Sequence, residues 1–170
     1  MNDKKNKSVL IVMGSDSDFP TVSKSFDIFE KFGIDYCVRI ISAHRTAERA
    51  AELAKSARED GYGVIICAAG MAAHLAGAFA ANTTLPVIGL PLSGGVLDGL
   101  DALLSTVQMP SGFPVATVAV NGSKNAAYLA ISILSVNDEN LVKKLKVERD
   151  DIACAVIKKD EELSQKLNGR

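Results

Sequence analysis

The chain has 170 residues, 48% hydrophobic and 23% charged, which is enough apolar material for a sizeable core and too much for a disordered segment. Its 19 Lys and Arg against 20 Asp and Glu leave a net charge of -1, so bulk electrostatics offers no pull toward nucleic acid or an anionic membrane. An anionic ligand has to be held locally.

The charged start, residues 1–7, looks like a signal-peptide n-region, but the apolar run behind it at 9–13 is too short for an h-region, so no export is expected. Later hydrophobic segments are all broken by Gly, Ser, Thr, Asn or Pro before reaching the roughly 18 apolar residues of a membrane span. Cys37, Cys67 and Cys154 show neither zinc-knuckle nor redox-pair spacing and read as reduced thiols of the cytoplasm.

Short Val- and Ile-rich runs predict strands at 8–13, 37–41, 63–67, 86–90 and 115–120. Between them lie helical patterns. Asp18 before Pro20 opens the first, with Val22, Phe26 and Phe29 on one face and Gly33 as its stop. The second is expected over 46–60, capped by Thr46, with Leu53 and alanines 50, 54 and 57 inside and Gly61 ending it. Further helices are predicted at 72–81, 97–107 and 123–134. Strands without polar alternation, separated by helices, describe a parallel sheet covered on both faces. The expected fold is a flavodoxin-like doubly wound α/β domain of three layers.

Between Tyr62 and Ser135 only Asp98, Asp101 and Lys124 are charged, whereas 137–170 carries eight acids and eight bases. The middle therefore reads as core and the end as surface. We expect one domain over 1–170, made of an α/β core at 8–135 and an extra C-terminal helix within 136–170. In that helix Leu141, Ile152 and Leu163 recur every eleven residues, as do Leu145, Val156 and Leu167. Eleven residues are about three turns, so one apolar stripe results, docking either on its own domain or on a neighbouring subunit.

Ligands of doubly wound sheets bind beyond the carboxyl ends of the strands, near the topological switch point. Three predicted strands end there in suggestive loops: Gly14-Ser15-Asp16-Ser17-Asp18, Ser42-Ala43-His44-Arg45-Thr46, and the Ala- and Gly-rich stretch from Ala68 to His74. Both histidines of the chain fall on this rim. In the first loop, hydroxyls and helix-start amides suit a phosphate. Asp18 is either a helix cap or an acceptor for sugar hydroxyls. Arg45 can hold a phosphate in its planar fork while His44 faces the reacting atoms. The third loop suits a dry compartment for a small uncharged species. Dinucleotide and P-loop glycine patterns are absent. A phosphoacceptor receiver is disfavoured, because Cys67-Ala68-Ala69 occupies the place of the aspartate it needs.

The motifs MGSDSD at 13–18, SAHRT at 42–46, AAHL at 72–75 and VQMPSGFPVATVAV at 107–120 resemble the class I N5-carboxyaminoimidazole ribonucleotide mutases, the PurE family. The resemblance implies flavodoxin-like homo-octamers that move a carboxylate from N5 of the aminoimidazole ribonucleotide to ring C4, without ATP, metal or organic cofactor. By motif position, His44 would be the general acid and base. Ser15, Asp18, Ser42 and Arg45 would bind the ribonucleotide, with Gly70, Ala72 and His74 around the migrating carboxylate. Class II relatives, which carboxylate with free carbon dioxide, carry a Lys in place of Arg45 and an Arg-Ser-Asn-Gly run in the third loop. The chain departs from the class I pattern in that loop, with Met71 where a second glycine is common and Ala76 where proline is. A ribonucleotide-binding protein without turnover is the remaining alternative.

Overall fold

In the computed structural model, which describes residues 8–168, Val9, Leu10, Ile11 and Val12 expose at most 1% of their surface. Such burial requires neighbours on both edges of their strand and cover on both faces. β1 (Ser8–Met13) has them, pairing in parallel with β2 (Tyr36–Ile40) and with β3 (Tyr62–Gly70). β4 (Val87–Leu92) adds to β3, and the short β5 (Ala116–Thr117) adds to β4. The all-parallel order β2-β1-β3-β4-β5 is the flavodoxin-like one.

That order puts the switch point between β1 and β3. Register aligns Met13 with both Ile40 and Ala68, so the chain leaves β1 and β2 at one level and β3 just beyond it. Side chains alternate across the sheet. Leu10, Val12, Ile65 and Cys67 pack with Ala50, Ala54, Ala57, Leu75 and Phe79 on one face. Val9, Ile11 and Ile66, of opposite parity, are equally buried. The alanines expected to line the second helix do so.

The helices depart from expectation at their ends, each time for a local reason. The first is two pieces, α1 (Phe19–Val22) and α2 (Phe26–Phe32), parted by a 3-10 turn in which the Ser25 hydroxyl donates to the Val22 carbonyl at 2.7 Å. Gly33 closes it at φ 70°. Asp18 stands at the N-cap of α1 without a side-chain cap bond; Ser15 caps the 3-10 turn before it, Asp16–Asp18, its hydroxyl accepting from the Ser17 amide at 3.3 Å. α3 (Ala47–Ser56) ends four residues early, in turns leading to Gly61. Thr46 stands at the N-cap of α3 as expected, but makes no side-chain cap bond, because its hydroxyl donates to the Ser42 carbonyl and accepts from the Ser42 amide. α4 (Leu75–Ala80) and α5 (Leu100–Val107) start late, after left-handed residues: Met71 at φ 53° before one, Asp98 at 47° and Gly99 at 95° before the other. α6 (Ser123–Ser135) matches its expected position. β5 is much shorter than the predicted 115–120, since past Thr117 the chain keeps only separate bonds to β4, Val118 to Gly89 and Asn121 to Pro91.

The chain divides into two units between Leu134 and Ser135. The second contains α7 (Glu139–Asn168), whose first turn is capped by Asp138, the carboxylate accepting from the Asn140 and Leu141 amides. Along α7 the predicted apolar positions Ile152, Val156, Leu163 and Leu167 are 51–62% exposed. Among the described residues no helix is long and apolar enough to cross a membrane.

Candidate active site

Beyond the carboxyl end of β1, the Gly14 amide still donates to the Ala68 carbonyl at 3.1 Å, which fixes where the first loop begins. Asp18 then folds back, its carboxylate accepting from the Ser15 amide at 3.0 Å. Burial pushes the Asp18 carboxyl above its ordinary value, and Asp16 pushes the same way; the Ser15 and Gly14 amides pull down more weakly than burial lifts. A half-buried carboxylate in that setting gains from any further donor, such as a sugar hydroxyl.

The second loop is tied on itself. Thr46 grips both backbone groups of Ser42, while the Ser42 hydroxyl accepts from the Arg45 amide at 3.2 Å. Arg45 Nε reaches that hydroxyl, and Nη2 the Gly14 carbonyl, at 3.5 Å each. These long contacts aim the guanidinium across the first loop and leave its N–H fork available to an anion. Ser42 thus acts through Arg45.

The third loop turns at Met71, where the backbone is left-handed. Two residues of α5 hold it: the Ser105 hydroxyl accepts from the Ala73 amide at 3.1 Å, and the Thr106 hydroxyl lies 3.4 Å from the Ala73 carbonyl. His74 follows, and its Nδ1 lies 2.8 Å from Nε2 of His44, the ring planes 81° apart. One nitrogen donates and the other accepts, so a single proton sits between the rings.

A cavity of about 410 Å³ is enclosed by these loops, and all eight residues singled out from the sequence line it: Ser15, Asp18, Ser42, His44, Arg45, Gly70, Ala72 and His74. Sequence reasoning missed a fourth wall, Ser93, Gly94 and Gly95 after β4. It is pinned by Asn121, left-handed at φ 58°, whose amide oxygen accepts from the Ser93 amide at 3.0 Å while Nδ2 donates to the Ser93 hydroxyl at 2.8 Å. The signal was present, because this loop also follows a predicted strand on the same rim. A wider hollow of about 820 Å³ opens elsewhere, beside Thr84 and Phe113, but it contains no imidazole and its Arg58 is already bonded to Thr84. Among the described residues no three His, Cys, Asp or Glu side chains gather to hold a metal. Cys67 lies in the core, and burial pushes its thiol far above the range where a thiolate forms.

Residues 8–154 match the family model described as AIR carboxylase, which covers most of the chain and the whole cavity rim. This chain belongs to the AIR carboxylase family. It is 50% identical over 155 residues to a Thermotoga maritima protein named N5-carboxyaminoimidazole ribonucleotide mutase, covering 91% of each chain. To the protein of the same name from Pyrococcus abyssi it is 53% identical over 142 residues, 84% of this chain and 82% of that one. The crystal structure of Treponema denticola PurE is similar to it with a TM-score of 0.83 at 33% identity, over 91% of this chain and 97% of the other. For a member of the AIR carboxylase family, the paired imidazoles and the Arg45 guanidinium on one rim are the features with chemistry to offer.

Proposed function

We propose that this family member is an isomerase of purine biosynthesis that converts N5-carboxyaminoimidazole ribonucleotide to 4-carboxy-5-aminoimidazole ribonucleotide. The observation that carries the mechanism is the His44–His74 pair at 2.8 Å, on the rim of a cavity that Arg45 and Ser15 also line. Arg45 and Ser15 bind the phosphate, Asp18 accepts from ribose hydroxyls, and Ser42 keeps Arg45 aimed. The N5 carbamate is then held toward the third loop, beside Gly70 and Ala72.

His44 donates a proton to N5 as the N5–carbon bond breaks, and the bonding pair stays on nitrogen. Carbon dioxide is released into the cavity. The electron-rich C4 of the aminoimidazole attacks it, forming the new carbon–carbon bond, and His44 takes the proton that C4 loses. Protons balance over the cycle, and the substrate ring supplies the electron pair itself. No ATP, metal or organic cofactor is needed. His74 holds the His44 ring in position and can face the migrating carboxylate.

In the assembled enzyme we expect a homo-octamer, as the class I resemblance implies. Self-association is supported by Val96, Leu97, Leu100, Leu104 and Phe113, which are 46–98% exposed in the single chain. Three unpaired cysteines fit a cytoplasmic location.

The test offers the protein N5-carboxyaminoimidazole ribonucleotide and, separately, aminoimidazole ribonucleotide with bicarbonate. C4 carboxylate should form rapidly from the first. Formation from the second alone would identify a class II carboxylase, and tight binding with no product a non-catalytic protein.

A further inference from the structure

Met71 lines the cavity, and in the single chain 61% of its surface is uncovered, so its side chain stands at the mouth of the site that this chain builds. Its backbone sits at φ 53°, a conformation that strains a non-glycine residue and that glycine takes freely. The loop is nonetheless held, with the Met71 carbonyl within 3.3 Å of the Ser105 hydroxyl and accepting from the Ala73 amide at 2.9 Å. Across the gap lies Gly95, itself at φ 72° and without a side chain. A Cβ built there would stand 3.1 Å from Met71 Cγ and 3.7 Å from its sulfur. The Asp101 carboxylate stands 3.2 Å from the same point, so Met71 spans from the loop after β3 to the loop after β4 at Gly95, beside that carboxylate.

We propose that Met71 closes, on the side facing Gly95, the compartment in which carbon dioxide waits between its loss from N5 and its capture at C4. This rests on the mutase reading above. Carbon dioxide is uncharged, so walls retain it better than hydrogen bonds do. A thioether is polarizable and flexible, and it fills an irregular gap without adding a group that would hold water. With glycine at 71 the same backbone turn survives but the gap beside Gly95 opens. Escape then competes with capture.

The experiment uses substrate labelled with carbon-13 in the carbamate, in unlabelled bicarbonate with carbonic anhydrase keeping the dissolved pool equilibrated. The C4 carboxylate is analysed by mass spectrometry, with an enzyme-free control for spontaneous breakdown. Wild type should keep the label in most of its product. Met71→Gly should lose a several-fold larger fraction, Met71→Ala should behave like it, and Met71→Leu should stay near wild type. Equal retention in wild type and both truncations, with all turning over, would overturn the role of Met71 alone. A wild-type protein that forms no C4 carboxylate from the carbamate would overturn the mutase reading and leave Met71 no compartment to close.

Discussion

His44 Nε2 and His74 Nδ1 lie 2.8 Å apart although their loops leave the sheet from strands on opposite sides of β1. The contact exists because β2 and β3 flank β1, and their loops meet over its carboxyl end. At that distance one ring nitrogen donates and the other accepts. His44 then has a defined ring orientation before substrate arrives.

Replacing His44 by Asn should leave folding and ribonucleotide binding intact and lower turnover by about 10²- to 10⁴-fold, the usual loss of a general acid and base. His74 acts through His44, and its loss should cost less, roughly 10- to 100-fold by analogy with other positioning partners of a reactive imidazole. His74→Asn, which keeps a polar atom near the place of Nδ1, should retain more turnover than His74→Phe. Equal rates for the two His74 variants would argue that the ring contact only fills space.

Arg45 is the local answer to a chain with no net positive charge. Arg45→Ala should raise the half-saturating concentration of the ribonucleotide by roughly 10- to 100-fold, as expected for a lost charge-assisted bond. The dephosphorylated riboside should be affected much less. Arg45→Lys should recover only part of the loss, because an ammonium keeps the charge and lacks the planar fork. Parallel losses for nucleotide and riboside would rule out a phosphate contact.

Asp18 offers a test in pH. Burial raises its folded carboxyl above the unfolded value, so the ionised form is the less comfortable one in the folded protein. The sign follows from proton linkage: between the unfolded and folded values the folded state binds more protons, and stability falls as pH rises through that window. Asp18→Asn should therefore melt at or above wild type near neutral pH, the difference shrinking as pH drops through the raised folded value toward the ordinary 3.8. The same variant should bind the ribonucleotide more weakly. A clearly lower melting temperature near pH 7 would show that the ionised carboxylate contributes more through its amide bonds than it loses by burial.

The fold was legible because strands such as 8–13 are continuous apolar runs and the helices between them carry clear stops such as Gly33 and Gly61. Helix starts were harder. Residues 72 and 97 look helical by composition, but left-handed residues at 71, 98 and 99 delay the first turn, and a non-glycine at positive φ leaves little trace in sequence. The cavity residues were legible as post-strand loops, since parallel topology sends each such loop to one rim. Their supports were not. Nothing in the local sequence says that the Asn121 side chain meets Ser93 or that the Ser105 hydroxyl meets Ala73, because those bonds join residues 28 and 32 positions apart.

Ser105 is the sharpest case of such a hidden support. Its hydroxyl, on α5, accepts from the amide of Ala73, a residue of the third loop only 1% exposed. Ala73 also bonds the Met71 carbonyl, so removing the hydroxyl weakens one bond of two, and Ser105→Ala should cost about 1 kcal/mol of stability. The larger effect should appear in turnover, because Ala73 directly precedes His74 and sets where its ring meets His44. At a temperature where both proteins are fully folded, Ser105→Ala should lower kcat with little change in KM, and Ser105→Thr, which keeps the hydroxyl, should recover most of it. A variant that loses stability but keeps wild-type kcat would limit Ser105 to holding the loop together.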